Sequence, residues 1–137
     1  MALSPAVRAF LEEKHHCVLA TVGREGMPHQ TVLWYELQGD RIMMNTARGR
    51  VKDHNLRRDP RASFCVEAGA RYVTITGTCE LQWEDQEAAQ ADIHALAVRY
   101  EGREQADRSS ARQFRKQQRE TIYLTIDTVD AHGFGGE

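Results

Sequence analysis

The sequence predicts a mainly β protein of the α+β class, a six-stranded antiparallel barrel with peripheral helices. Three observations lead there. Six segments carry strand chemistry, and most are joined by short turns that suit antiparallel hairpins. Helices do not intervene between successive strands, as a parallel α/β sheet would require. Finally, a chain of 137 residues, 41% hydrophobic and 7% aromatic, has enough apolar surface for one core, so a single domain over residues 1–137 is expected.

Each element has its own signal. Ser4-Pro5 starts a helix, with serine as N-cap and proline at the first helical position. Val7, Phe10 and Leu11 then recur at helical spacing, and the helix is expected to end near Lys14. Residues 16–22 alternate as a strand and turn through Arg24-Glu25-Gly26. Residues 28–37 form a second strand closed by Gln38-Gly39-Asp40, and residues 41–45 form a third. A short helix over 48–58 is stopped by Asp59-Pro60, because proline lacks the backbone donor and restricts its predecessor. Strands over 62–68 and 72–83 flank a turn at Gly69. Asp85 caps a helix reaching Tyr100, with a stripe of Ile93, Leu96, Ala97 and Tyr100. A polar helix is expected over 109–118, a last strand over 121–129, and a mobile glycine-rich tail over 131–137.

The formal net charge of -2 argues against a uniformly basic nucleic-acid binder. No run of 18 apolar residues is present, so no membrane span is expected. Met1 to Arg8 lack the charged start and apolar stretch of a signal peptide, which points to the cytoplasm. Cys17, Cys65 and Cys79 are widely spaced and read as reduced, buried thiols. His15-His16-Cys17 cannot close on one metal ion from an extended chain, and no other histidine has a spaced partner, so no metal is expected.

Charge is uneven along the chain. Between Arg48 and Arg61 six basic residues (Arg48, Arg50, Lys52, Arg57, Arg58, Arg61) face two acidic ones, Asp53 and Asp59. Helix starts ordinarily favour acidic side chains, so Arg48, Arg50 and Lys52 crowding one implies a compensating anion. Backbone donors together with guanidinium and ammonium groups make a phosphate site. Asn45 and Thr46 stand where they could cap this helix or donate to phosphate oxygens, and Arg48, Lys52 and Asn55 would share one helical face, with Arg50 joining from the first turn. The competing reading is a solvated basic surface. A second basic cluster, Arg103 to Arg119, lacks the cap-and-turn pattern and reads as a solvated face.

Cys17-Val18-Leu19-Ala20-Thr21-Val22, Gly26-x-Pro28-His29, Leu33-Trp34-Tyr35 and above all the run from Gly49 to Ser63, with its Arg-x-Lys-x-x-Asn-Leu-x-x-Asp-Pro-Arg string, carry a resemblance over roughly half the chain. They resemble the split β-barrel flavin-binding proteins related to pyridoxamine-phosphate oxidase, and more narrowly the branch of oxidoreductases using the deazaflavin coenzyme F420. The resemblance implies a homodimer of split barrels with two cofactor sites at the interface. It places Arg50, Lys52 and Asn55 on the cofactor's phosphate or polyglutamate tail, and Asn45 and Thr46 near the ring or ribityl chain. His29 would line the isoalloxazine edge, Tyr72 would stand against the cofactor, and Trp34 would belong to the dimer core. The implied reaction is hydride transfer from reduced F420 to an activated double bond of a small organic acceptor such as an enone, quinone or tetrapyrrole. Flavin mononucleotide (FMN) is the alternative cofactor, and a non-catalytic flavin- or haem-binding module the alternative role. No catalytic residue is identified: bound water, Tyr72 and His29 remain open as proton donor.

Overall fold

The structure is a computed structural model and describes residues 3–135. Its centre is one seven-stranded antiparallel sheet: β1 (Cys17–Val22), β2 (Pro28–Leu33), β3 (Glu36–Gln38), β4 (Arg41–Ala47), β5 (Arg61–Ala68), β6 (Arg71–Gln82) and β7 (Arg119–His132). The order across the sheet is β2-β1-β5-β6-β7-β4-β3, so β2 and β3 are its two edges and do not pair with each other. Four α-helices surround it among the described residues: α1 (Pro5–Glu12), α2 (Val51–Arg58), α3 (Gln86–Glu101) and α4 (Arg103–Arg112). The mainly β, antiparallel expectation stands, but among the described residues the strands number seven and the sheet is not closed.

The extra strand comes from a break in residues 28–37. Trp34 and Tyr35 leave the ladder, and the chain passes from pairing with β1 to pairing with β4. Tyr35 turns its side chain fully into the core and donates its hydroxyl to the Leu11 carbonyl at 2.9 Å. The Tyr100 hydroxyl accepts from the Tyr35 N–H at 3.2 Å and reaches the His15 carbonyl at 2.5 Å. A tyrosine on α3 thus satisfies backbone groups that the interrupted ladder leaves open.

Local chemistry sets the helix ends. The Ser4 hydroxyl accepts from the Val7 N–H, and Val7, Phe10 and Leu11 are buried, so α1 closes one face of the sheet. It stops at Glu12, slightly short of the expected end. The Asp85 side chain caps α3 through the Ala88 N–H, as expected. The polar helix expected over 109–118 instead runs as α4, followed by one tight turn at Phe114–Lys116. Strand β7 begins at Arg119 and extends to His132, pairing Ala131 with Val73 and His132 with Tyr72. The first two residues of the expected mobile tail, Ala131 and His132, are therefore strand, and beyond them Phe134 packs edge-on against Phe10 at 5.3 Å. Residues 136–137 of that tail lie outside the described residues.

The main core joins α1, the inward residues of the sheet and Leu56 of α2. A smaller cluster of Met43, Ile93, Leu96, Ala97, Ala106 and Phe114 seats α3 and α4 on the other face of β4 and β7. Cys17 and Cys79 are buried free thiols, each pushed up to about 12 by burial, while Cys65 is only half-buried, against expectation. No described helix is long and apolar enough to cross a membrane.

Candidate functional site

The segment linking β4 to α2 carries the basic run. Gly49 has φ +93°, a conformation side chains resist, and this turns the chain into α2. The Gly49 N–H donates to Asp53 Oδ2 at 2.7 Å, and Arg57 grips Asp53 with two hydrogen bonds of 2.9 and 2.7 Å. Burial works to raise the Asp53 carboxyl, but the Gly49, Glu120 and Arg57 contacts overcome it and hold the group below its ordinary range. Asp53 thus anchors the helix start and consumes Arg57.

Helix α2 begins at Val51 with Arg50 as N-cap, so Arg48 precedes it and does not share a face with Lys52 and Asn55. The Arg48 guanidinium lies 3.9 Å over the Trp83 ring instead. Asn45 and Thr46 do not cap α2 either. They sit inside β4, where consecutive side chains take opposite faces: Asn45 donates to the Ala89 carbonyl at 3.0 Å and to Thr121 at 3.2 Å, while Thr46 stands opposite Glu120. Thr46 Oγ1 is buried with no hydrogen-bond partner among the described residues.

A cleft of about 270 Å3 opens between the end of β2, the β4 to α2 corner, α3 and α4. Trp34, Ile93, Leu96 and Phe114 give it apolar walls, and Asn45, Arg50 and Arg119 give it a polar end. Trp34 stacks on Tyr100, with ring centroids 5.3 Å apart and planes 12° from parallel. Lys52, only 5% exposed, feels both Arg50 and Arg119: burial first, then these two cations, push its ammonium below the usual lysine range. Burial and Arg50 likewise lower Arg119 to about 10. None of Arg50, Lys52 and Arg119 has a carboxylate partner among the described residues.

The sequence missed Arg119, assigning it to a solvated helical face. It is 4% exposed and opens β7. Among six basic residues over 103–119, only the true start of the strand distinguishes it. The other five lie on or just after α4 and are exposed.

The remaining site expectations divide by position. Asn55 is buried on α2 and donates to Thr21 Oγ1 at 3.0 Å, while accepting from Arg58. His29 stands across the ladder from Thr21, with Nδ1 buried and without a partner among the described residues. Tyr72 stacks on His132 near the other end of the sheet. Thr21 pairs with Ala62 and Tyr72 with Glu67, so five residues of β5, about 17 Å at the rise of a strand, separate the two rows. Of these residues Asn45 and Arg50 line the cleft, Lys52 lies within electrostatic reach of Arg50 and Arg119, Asn55 and His29 lie near Thr21, and Tyr72 belongs to neither group.

A wider groove of about 830 Å3 lies between α3 and the α4 region, lined by Gln86, Gln90, His94, Asp107, Arg115 and Gln117 among others. Its polar groups are largely engaged: His94 contacts Asp107 at 2.7 Å, and Gln86 and Gln90 donate to backbone carbonyls. The smaller cleft, with its unpaired cations, is the better candidate for a charged ligand.

Solved structures share this architecture, a split barrel. A conserved hypothetical protein from Mycobacterium tuberculosis superposes with a TM-score of 0.77 at 26% identity, over 98% of this chain and 88% of the other. A protein named F420 reductase gives a TM-score of 0.72 at 20% identity, over 90% and 94% of the two chains. The haem storage protein HutZ from Vibrio cholerae gives 0.73 at 20% identity, over 98% of each. The sequence pattern itself matches the pyridoxamine 5'-phosphate oxidase family across residues 3–133, spanning every strand and helix described above. With the cationic corner after β4 lying inside that match, the chain belongs to the pyridoxamine 5'-phosphate oxidase family.

Proposed function

We propose that this protein is a homodimeric, cytoplasmic oxidoreductase that binds coenzyme F420, with FMN as the alternative cofactor, and reduces an activated double bond of a small organic acceptor. The observation that carries this reading is the group of three cations without carboxylates, Arg50, Lys52 and Arg119, beside a cleft with aromatic and aliphatic walls. A ring-and-tail cofactor matches both parts: its anionic tail neutralises the cations, and its planar ring needs apolar walls.

The residues present fit such a cofactor. Arg50 and Lys52 hold the tail electrostatically, and Asn55, fixed by Thr21, keeps the α2 face in register with β1. Trp34, Phe114 and the α3 residues Ile93 and Leu96 exclude water from the adjoining cleft. When bound, a reduced deazaflavin or flavin supplies the hydride, and the protein supplies orientation and a dry environment.

The test is direct. Purified protein is examined for a bound yellow chromophore, then titrated with F420 and with FMN by fluorescence quenching. Binding of either in the micromolar range supports the reading, and F420 preferred over FMN supports its narrower form. Binding of neither sinks it. Binding without turnover of enones or quinones moves the protein to the non-catalytic alternative.

A further inference from the structure

We propose that Arg119 is the third cation of an oxyanion site shared with Arg50 and Lys52, built for a ligand end carrying two negative charges, and that Gln117 is a positioning residue that aims it. This deepens the cofactor reading above and rests on it for the identity of the ligand, though not for the existence of the site.

The argument begins with how Arg119 is held. Its Nε donates to Asn45 Oδ1 at 2.9 Å and its Nη1 to Gln117 Oε1 at 2.7 Å. Phe114 lies beneath the guanidinium, 5.2 Å from its carbon to the ring centroid. Two neutral acceptors and an aromatic face fix the plane of the fork without cancelling its charge. Nη2 has no acceptor among the described residues, and the side chain lines the cleft beside Arg50. Planar, pre-aimed guanidinium groups are the side chains best matched to phosphate and carboxylate oxygens.

Nearby acids do not serve this cluster. Asp53 is taken by Arg57, and Glu120, next to Arg119 in the strand, projects to the opposite face of β7. Glu101, which also lines the cleft, is exposed and forms no ion pair with the three cations among the described residues. Gathering the buried Lys52 and Arg119 beside the exposed Arg50 without a carboxylate is unfavourable in the free protein. A single negative charge would leave two of them uncompensated. A phosphate monoester dianion or a pair of carboxylates compensates better, and Asn45 then serves to hold Arg119 rather than to meet the cofactor ring.

The probes are inorganic phosphate and glutarate, followed by calorimetry, and FMN and riboflavin, followed by fluorescence. Riboflavin carries the same ring as FMN without the phosphate. Wild-type protein is expected to bind phosphate or glutarate, and the tighter of the two identifies a phosphoryl or a dicarboxylate end. Arg119→Gln should weaken that binding at least tenfold and reduce the FMN-to-riboflavin affinity ratio, leaving riboflavin itself unchanged. Arg119→Lys should restore part of the loss. Gln117→Ala, at a half-buried position outside the strands, should weaken oxyanion binding severalfold with little change in melting temperature, and it decides the matter if Arg119→Gln does not fold. Unchanged phosphate and glutarate affinity in folded Arg119→Gln, or in Gln117→Ala where that variant must decide, overturns the proposal even if flavin binding is intact. No oxyanion binding by the wild type overturns it too. Arg119-dependent oxyanion binding by a protein that takes up neither F420 nor FMN keeps the site and removes the cofactor reading.

Discussion

Asp53 and Glu120 form a carboxyl pair beneath the start of α2, both 0% exposed and in mutual hydrogen-bonding contact. Two carboxylates cannot make that contact, and the Glu120 oxygens meet no other donor: Arg48 Nε stands 3.9 Å away, too far for a hydrogen bond. One proton must be shared, and burial together with Asp53 raises Glu120 from 4.5 to about 8. The native state therefore retains a proton that the unfolded chain releases above its ordinary carboxyl range. Stability from Glu120 is complete below about 4.5 and declines as pH rises through about 8, at most about 1.4 kcal/mol per pH unit. Asp53, held low, acts in the opposite sense and loses its contribution only as the medium becomes acid. Glu120→Gln keeps the shape and supplies a permanent donor to Asp53. Melting temperatures measured at intervals across this range should fall with pH in the wild type and stay nearly level in the variant. Equal slopes would show that Glu120 does not carry the proton. Among the cations, Arg50→Ala and Lys52→Ala should each weaken cofactor binding by roughly 1.5 to 3 kcal/mol, the scale of a hydrogen bond to a charged group, measured by the same fluorescence titration. Arg50 and Lys52 were legible in the sequence because basic residues at a helix start contradict the dipole preference. Arg119 and the acid pair were not, because their meaning comes from burial and cross-strand position, which charge counts do not encode.

Elements whose ends are set by local chemistry were the readable ones. Ser4-Pro5, Asp85 and Asp59-Pro60 each mark a helix boundary through a cap or a missing donor, and each does so in the structure. The β2 to β3 break was not readable, because Trp34 and Tyr35 are good strand formers and the backbone leaves the ladder only where a residue 65 positions away satisfies it. That dependence is testable. Tyr100→Phe keeps the ring stacked on Trp34 but removes the hydroxyl that reaches Tyr35 and His15. Stranding these partly buried backbone groups should cost about 1 to 3 kcal/mol, read as a lower urea midpoint with unchanged slope. No loss would mean that water replaces the hydroxyl. The bulge at Thr76/Gly77 makes a sharper case. A Cβ on Gly77 would collide with the Thr125 carbonyl oxygen and crowd Leu124, so β6 and β7 could not keep their register. Gly77→Ala should unfold at markedly lower denaturant than Gly69→Ala, whose site at the β5 to β6 turn is strained only through its φ of +67°.

For the whole molecule, the cleft's capacity bears on the number of subunits. Its volume of about 270 Å3 falls just under the usual range for small-molecule pockets, about 300 to 1,000 Å3, so a tricyclic ring with a phosphorylated tail needs a second wall. Tyr72, expected against the cofactor, is not among the residues that line the cleft in its own chain and so does not provide that wall. A second copy placing its own Tyr72 there would satisfy both facts. Such a partner also needs a surface to meet. The edge strand β2 carries Val32, 65% exposed, with Met27 beside it at 74%, and Val32 lines the cleft itself. An open sheet edge with exposed apolar side chains is a surface that association covers. We propose that β2 and its flanks lie in the dimer interface and that the cofactor cleft is completed there. Light scattering and sedimentation at micromolar concentration should give twice the chain mass. Val32→Glu should shift the protein toward monomer and weaken FMN or F420 binding, while phosphate binding at Arg50, Lys52 and Arg119 persists because those cations come from one chain. A wild-type monomer that binds cofactor at full affinity would refute the shared cleft. A monomeric Val32→Glu protein with unaltered cofactor affinity would do the same, leaving Tyr72 with no role at the site.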